Sequence, residues 1–263
     1  MASNTGPAGF ESHTVALPNR EEQVSKSNGF IFYKGPSWID GKPIVAIATG
    51  LVRPSHNPKT GPMIQTWILR EDVAPLQAAS SGDDASVCGG CQHRPVNNGS
   101  CYVSLFQGPR AVYAAFKSGG YDVVPSAWDV ADSLRGKLLR MGAYGDPVAV
   151  PLDLWQTLAK LTRGHTGYTH QWKSERLAGA YRSLLQASVD SEQEFAIARR
   201  RGWSTFRVRT ATDSVLPGEV QCPASDEAGK MTTCAECRMC DGTSGKLVTI
   251  IAHGAKAGRF ERA

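Results

Sequence analysis

The cysteines are the residues of this sequence whose type and spacing most clearly indicate chemistry. All seven fall into two compact groups, Cys88, Cys91 and Cys101 in the first and Cys222, Cys234, Cys237 and Cys240 in the second. A disulfide framework would leave one of seven cysteines unpaired, and thiols that only fill a core would be scattered along the chain. The sequence therefore predicts a protein that binds metal through cysteine.

In the second group, three cysteines follow one another at gaps of two residues, and the remote Cys222 precedes Pro223. This spacing is similar to the C-x2-C-x2-C…C-P pattern that holds a [4Fe–4S] cluster, with the remote cysteine upstream instead of downstream. A short curling loop can offer successive thiolates to three iron corners. Four cysteines also close structural zinc sites, usually as two separate C-x2-C hairpins, so zinc is the alternative.

The first group, Cys88-Gly-Gly-Cys91 followed by Cys101, fits several kinds of site. A [4Fe–4S] cluster held by only three thiolates keeps one iron free for a small-molecule ligand, which favours catalysis over simple electron transfer. His93 would instead complete a three-cysteine, one-histidine zinc site. The third interpretation is a structural clip for the Gly- and Asn-rich loop from Ser86 to Ser100.

The elements that must position these groups alternate between strands and helices. After an N-terminal antiparallel hairpin within residues 29–50, we predict about six strands, at Met63–Leu69, Leu138–Gly142, His165–Thr169, Leu184–Val189, Trp203–Arg209 and Leu247–Ala252. Predicted helices lie between the middle strands, at Pro151–Leu161, Ser174–Tyr181 and Ser191–Arg201. The pattern predicts an α/β protein, either a partial or open parallel (β/α) barrel or a doubly wound sheet.

In either architecture, ligand sites lie at the carboxyl ends of the strands. Asp146, His170 and Asp190 follow three of the predicted strands and are the candidate catalytic residues, with Arg209 and Thr210 after a fourth. Each of the three also has an ordinary interpretation: Asp146 as a turn residue, His170 as a core histidine and Asp190 as a helix cap. Both cysteine loops are predicted to face the same mouth of the sheet. Trp155 and Trp172 are interpreted as packing residues.

Length and charge narrow the classes of function. A chain of 263 residues can bury a core without help from metal, so we predict a single domain over residues 29–253, with flexible tails at 1–28 and 254–263. The net charge of +5 is modest, and Arg199-Arg200-Arg201 fits a helix end better than a phosphate contact. There is no apolar run of about 20 residues and no apolar signal region near the N-terminus. A cytoplasmic protein with no membrane partner is therefore expected.

Several of these segments together resemble the phage gene-product-eighty-eight-like family of bacteriophage and prophage proteins. The resemblance rests on both cysteine groups, on the segment from Leu139 to Pro147 (LRMGAYGDP) and on Gly167-Tyr-Thr-His170. It implies a phage-encoded protein of the bacterial host cytoplasm with a cysteine-bound metal, and it implies no particular activity.

More distantly, a parallel barrel with a three-cysteine loop after its first strand is similar to the radical S-adenosylmethionine enzymes, some of which carry a second, four-cysteine cluster. The resemblance implies that Cys88, Cys91 and Cys101 hold a cluster whose free iron binds S-adenosylmethionine. The cysteine gaps of this loop are two and nine residues, where that family has three and two.

The leading hypothesis is an iron–sulfur protein with one or two [4Fe–4S] clusters and a redox or radical role, acting with a redox partner or on a small molecule. Simple electron transfer is the milder form of the same hypothesis. The alternatives are a zinc-stabilised nucleic-acid-binding protein, supported by the basic charge and the C-x2-C knuckles, and a metal-dependent nuclease that uses Asp146, His170 and Asp190.

Overall fold

The computed structural model describes residues 27–260, which build one mixed α/β sheet structure. Ten strands form a single sheet in the order β4-β1-β2-β3-β5-β6-β7-β8-β10-β9. The strands are β1 (Gly29–Pro36), β2 (Pro43–Thr49), β3 (Ile64–Arg70), β4 (Asp122–Val123), β5 (Leu138–Tyr144), β6 (Gly164–Thr169), β7 (Gln186–Val189), β8 (Thr205–Arg209), β9 (Glu219–Gln221) and β10 (Leu247–Ile251).

The helices are short and lie between the strands. They are α1 (Pro75–Ser81), α2 (Ala85–Cys88), α3 (Gly108–Lys117), α4 (Ala131–Leu134), α5 (Leu152–Leu161), α6 (Glu175–Ala178), α7 (Glu192–Arg200), α8 (Cys234–Cys237) and α9 (Ala257–Phe260). The helix predicted over Ser174–Tyr181 is split, because after α6 the chain tightens into a 3-10 helix at Gly179–Ser183. No helix within residues 27–260 is long and apolar enough to cross a membrane.

The sheet is mostly parallel, as the alternation of strands and helices predicts. β2 runs antiparallel to β1 and to β3, whereas β3, β5, β6, β7, β8 and β10 are paired in parallel. The carboxyl ends of these parallel strands therefore lie along one edge. The sheet is not closed, because β4 and β9 each have a single neighbour.

The number of strands differs from the expected six or so. β1 and β2 belong to the main sheet rather than standing beside it, and two further strands, β4 and β9, occupy its edges. These edge strands contain two and three residues, too few to produce a recognisable alternation of apolar and polar side chains. Their pairing depends on chain segments that are remote in sequence.

Large aromatic side chains fill the core beneath the sheet, and Trp155, Trp172 and Trp203 are fully buried. The indole Nε1 of Trp155 donates to the carbonyl of Pro147 at 2.8 Å, and that of Trp172 donates to the carbonyl of Ser188 at 2.8 Å. Burial of both rings with satisfied N–H groups confirms the prediction that Trp155 and Trp172 are packing residues.

The predicted tails lie only partly within the structure. Of the tail predicted at 1–28, residues 1–26 are outside the described residues. The segment predicted as a tail from residue 254 contains α9, whose Phe260 ring stacks on the imidazole of His93 with centroids 5.7 Å apart. This end of the described chain therefore contacts the region of the first cysteine group.

Candidate metal-binding cavity

One cavity of about 410 Å³ lies over a face of the sheet, and all seven cysteines line it. Alternate side chains of β5 and β6 form part of its floor, among them Arg140, Tyr144, Thr166 and Tyr168. Because successive side chains of a strand point to opposite faces, this pattern places the cavity on a single face. The two cysteine groups, more than a hundred residues apart in sequence, are thus brought to one enclosed space.

The first cysteine group follows β3 and is fixed by a buried glutamine. The Gln171 side chain donates from Nε2 to the carbonyl of Cys88 at 3.0 Å and accepts from the backbone N–H of Gly90 at 3.2 Å. Gly89 has a left-handed φ of 57°, and a Cβ there would stand 2.4 Å from the Gln171 amide. Only glycine combines this conformation with this close approach, which accounts for the glycine that follows Cys88.

A buried ion pair anchors the rest of this loop. Arg94 contacts the carboxylate of Asp84 at 2.6 Å, and both side chains are nearly inaccessible to solvent. The backbone N–H of Cys101 donates to the carbonyl of His93 at 3.0 Å, which turns the chain back toward Cys88 and Cys91. These contacts fix the path of the loop for which a structural cysteine clip is one of the predicted alternatives.

The second cysteine group is fixed mainly through backbone hydrogen bonds. The N–H of Cys222 donates to the carbonyl of Thr249, and that of Cys234 donates to the carbonyl of Lys59, at 2.8 and 2.9 Å. The N–H of Gly167 in turn donates to the carbonyl of Cys240 at 2.9 Å. α8 begins with a capping box between Thr233 and Glu236, which closes the turn that carries Cys234 and Cys237.

The position of the second group corrects the expectation that both loops meet at the carboxyl ends of the strands. Ala235, next to Cys234, packs against Met63 and Leu138, which lie immediately before β3 and at the first residue of β5. The chain leaves β8 at Arg209, pairs through β9, and then crosses back over the sheet face. Cys234 and Cys237 consequently lie toward the amino ends of the strands, whereas Cys222 directly follows β9 at its carboxyl end. The first group lies at the carboxyl ends in the same cavity.

Burial raises the thiol pKa values in both groups. Desolvation raises the pKa of Cys91 to about 12, and raises those of Cys88, Cys101, Cys222, Cys234 and Cys240 above their ordinary value. Neighbouring thiols of the same group add to this shift, as Cys91 and Cys101 do for Cys88. Six thiols that are costly to ionise, gathered around one cavity, are stabilised as thiolates when a cation binds them.

The spacing of the thiols bears on which metal they suit. Within residues 27–260, no three cysteine sulfurs lie within 4.8 Å of one another. A tetrahedral zinc ion with Zn–S bonds of about 2.3 Å holds its sulfurs about 4 Å apart, whereas a [4Fe–4S] cluster separates its thiolates by roughly 6 Å because each binds a different iron. The thiols as placed therefore do not form a preassembled tetrahedral zinc site within the described residues.

Cationic side chains surround the second group. Lys59 and Arg140 both line the cavity, and both are close enough to Cys234 to lower the pKa of its thiol against the larger effect of burial. Lys59 acts in the same way on Cys222. A site formed by four thiolates carries negative charge, and these two cations offset part of it.

Asp146 is held at the carboxyl end of β5 by hydrogen bonds that occupy its carboxylate. It accepts from the backbone N–H groups of Val148 and His170 at 3.1 and 2.8 Å, and from the hydroxyl of Thr169 at 2.9 Å. Burial nevertheless raises its pKa above the ordinary value. Its carboxylate positions the chain between Thr169 and Gln171 and does not join the other two candidate catalytic residues.

His170 and Asp190 do come together, and their companion is His93. One ring nitrogen of each histidine and one carboxylate oxygen of Asp190 all lie within 4.8 Å of one another. Asp190 Oδ2 is 2.9 Å from Nε2 of His93 and accepts a hydrogen bond from Gln92 Nε2 at 2.8 Å. The helix cap predicted for Asp190 is supplied instead by Ser191, whose hydroxyl accepts from the N–H of Glu194.

Charge and burial act in opposite directions on this trio. Desolvation lowers the pKa of His170. Burial alone would raise the pKa of Asp190, but contact with the His93 imidazole and the charges of both histidines bring it below the ordinary value. The Asp190 carboxylate is therefore ionised near neutral pH, beside the two imidazole rings.

The remaining predicted residues have structural roles. Arg209 donates to the carbonyls of Thr210 and Asp213 and to Oε1 of Gln221, which fixes the connection to β9. Arg199, at the end of α7, donates to the carbonyl of Trp203, so the arginine run ends a helix as predicted. Sequence reasoning missed Gln171, Lys59 and Arg140, because none of them belongs to a spaced motif.

Comparison with known proteins assigns this chain to no family. No protein-family model matches this chain, and neither the curated proteins nor the solved structures contain a match to it. The site is therefore interpreted from its own residues and geometry.

Proposed function

We propose that this protein binds iron–sulfur clusters and carries out redox or radical chemistry on a small molecule. Cys222, Cys234, Cys237 and Cys240 would hold one [4Fe–4S] cluster. A second cluster, with an open iron position, would be held by the first group, Cys88, Cys91 and Cys101. The observation that carries the proposal is that all seven cysteines line one cavity.

Three properties of the cavity support iron–sulfur clusters over zinc. Within the described residues no three thiols lie close enough to form a ready tetrahedral site, Lys59 and Arg140 offset the negative charge of the four-thiolate site, and the first group lacks a fourth cysteine. His93 is the candidate fourth zinc ligand of the first group. Its Nδ1 lies 2.7 Å from the Ser100 hydroxyl and its Nε2 lies 2.9 Å from Oδ2 of Asp190, so neither ring nitrogen is directed at the cysteines. A three-thiolate cluster supplies an iron that can bind a substrate or cofactor atom.

The protein's own residues give the cavity a polar end and an apolar floor. Val208, Val248 and Ile250 line it beside the second group, whereas His93 and His170 line it beside the first. A small molecule bound between them would bury its apolar part on the sheet and direct its polar part toward the first group. The proposal includes two expectations from the sequence. One is that the sheet forms a partial barrel around the cavity, and the other is that the chain is related to radical S-adenosylmethionine enzymes or to phage proteins.

Analysis of anaerobically prepared protein tests the proposal directly. We expect a brown protein with about four iron and four sulfide ions per cluster, and about twice that number when both sites are filled. On reduction with dithionite in the presence of S-adenosylmethionine, release of 5′-deoxyadenosine and methionine would assign radical chemistry. Intact clusters without that product would favour electron transfer or a structural use of the clusters.

A colourless protein containing zinc and no sulfide would overturn the iron–sulfur proposal. In that case binding to nucleic acid becomes the function to measure. Affinity for DNA or RNA that falls steeply with salt would indicate phosphate contacts by the basic side chains, and metal-dependent cleavage would indicate a nuclease.

A further inference from the structure

We propose that His93, His170 and Asp190 form a separate site for one divalent transition-metal ion beside the first cysteine group. Their ligand atoms already lie within 4.8 Å of one another. Two imidazole nitrogens and one carboxylate oxygen are a ligand set that binds Zn²⁺, Fe²⁺ and neighbouring ions, often with coordination positions left open.

Two buried polar atoms in this trio lack partners, and a cation would satisfy both. Nε2 of His93 is buried without an aligned hydrogen bond, although Oδ2 of Asp190 is only 2.9 Å away. Oδ1 of Asp190 is also buried without a partner. Buried polar groups are nearly always hydrogen-bonded or bound to an ion, so two orphaned atoms on adjacent side chains point to a ligand between them.

Neighbouring residues orient the ligands as they do in metal proteins. The hydroxyl of Ser100 contacts Nδ1 of His93 at 2.7 Å, which leaves Nε2 directed at Asp190. Gln92 donates to Oδ2 of Asp190 at 2.8 Å, and the backbone N–H of Asp190 is held by Glu194 at 3.0 Å. Hydrogen bonds of this kind fix the ring orientation and the basicity of metal ligands.

The proposed ion would face the cavity. His93 and His170 line the cavity, whereas Asp190 lies behind them and its side chain is 7% exposed. Coordination positions not filled by these three residues would therefore be open to an oxygen or nitrogen atom of a small molecule in the cavity. The site does not depend on what the cysteines bind, because no cysteine sulfur shares its cluster of ligand atoms within the described chain.

Titration with Mn²⁺, followed by the electron paramagnetic resonance signal of the free ion, tests this site. Mn²⁺ prefers nitrogen and oxygen ligands and is a poor ligand partner for thiolates, so the cysteines contribute little to its binding. With the full chain, its cysteines already loaded with metal, we expect one Mn²⁺ bound per chain and displaced by one equivalent of Zn²⁺.

Matched variants locate the bound ion. Asp190→Asn retains the side-chain shape but removes the charge, and His170→Ala removes a ligand, so both should abolish Mn²⁺ binding without lowering the iron and sulfide content. Ser100→Ala should weaken binding roughly 10-fold. His253→Ala, which removes another histidine lining the cavity, should leave Mn²⁺ binding unchanged.

The results separate this site from the clusters. A wild-type chain that binds neither Mn²⁺ nor one more Zn²⁺ than Asp190→Asn would overturn the site, whatever the cysteines hold. Retention of Mn²⁺ by both Asp190→Asn and His170→Ala would overturn it as well. Far-ultraviolet circular dichroism of each variant identifies loss of folding, and Asp190→Asn, the isosteric change, then decides the result.

Discussion

The two ends of the cavity are built differently. At the carboxyl end, the first cysteine group is held by buried side chains, chiefly Gln171 and the Arg94–Asp84 pair, and it lies beside the polar trio. At the other end, the second group is held by backbone hydrogen bonds and surrounded by apolar residues and cations. Under the proposed function, the first end would carry out binding and chemistry, and the second would hold a closed cluster of fixed charge.

Removal of a single thiol from each cysteine group should have the largest effect, because each loss should remove the iron bound at one end of the cavity only. Cys240→Ser takes a ligand from the four-cysteine site, and Cys91→Ser takes one from the three-cysteine site. We expect each variant to lose about four iron ions per chain, with Cys91→Ser alone losing any reaction with S-adenosylmethionine. Iron and sulfide analysis of the two proteins measures this. Loss of all the iron from either variant would show that the groups form one joint site.

Two buried glutamines provide a matched test of how each loop is held. Gln171→Ala leaves the Cys88 carbonyl and the Gly90 N–H without their side-chain partner, and Gln186→Ala does the same to the carbonyls of Met239 and Lys246. Each change should lower the free energy of unfolding by about 1–3 kcal/mol. Hydrogen exchange should then rise mainly in the first loop for Gln171→Ala and in the second for Gln186→Ala.

Equal increases in both loops for either glutamine variant would contradict independent anchoring. Urea unfolding followed by circular dichroism supplies the free energies, and exchange measured by mass spectrometry supplies the location.

The pH dependence of stability should differ between metal-free and loaded protein. In the metal-free chain the folded thiols have raised pKa values, so folding favours the protonated form. The thiol contribution to its stability should be constant below about pH 8.5, the unfolded thiol pKa, and should be lost as the pH rises toward about 12, the value for Cys91. Loaded protein, whose thiols are already deprotonated, should not show this decline. Thermal melts across this pH range, with and without chelator, measure the difference.

The smallest expected effect concerns the charge around the second group. Lys59→Met removes a cation near Cys222 and Cys234, so reduction of the bound cluster should become harder. A shift of about 30–60 mV toward negative potential corresponds to about 1 kcal/mol for one electron. Potentiometric titration of wild type and variant measures it, and Lys34→Met, which alters an exposed lysine paired with Glu71, serves as control. An unchanged reduction potential would show that Lys59 lies too far from the bound cluster to affect its reduction.

The sequence predicted the parts of this arrangement that local patterns encode. Strands such as β2 and β10 have clear apolar runs, and the cysteine spacing identifies both groups without reference to the fold. The same reasoning paired His93 with the cysteines, because it lies two residues from Cys91. In the structure His93 lies instead beside His170 and Asp190. This contact depends on how the loop closes against two neighbouring strands, which the sequence pattern does not encode.

The path of the second cysteine loop was equally hidden. It depends on β9, a three-residue strand that pairs with the remote β10, and on the buried pair of Arg207 with Glu219, whose side chains are 1% and 0% exposed. Neither contact leaves a periodic signal in the sequence. The Asp146 carboxylate shows the same limit, because its position at a strand end is visible in the sequence and its hydrogen-bond partners are not.

Trp172, one of the six tryptophans in the sequence, gives this end of the cavity a fluorescent reporter. Its indole is fully buried, follows His170 by two positions, and is bonded to the carbonyl of Ser188, two positions before Asp190. A coloured or paramagnetic metal centre nearby would quench the fluorescence of this ring. The intrinsic tryptophan fluorescence should therefore decrease as metal binds at that end of the cavity, which offers a way to follow assembly in real time.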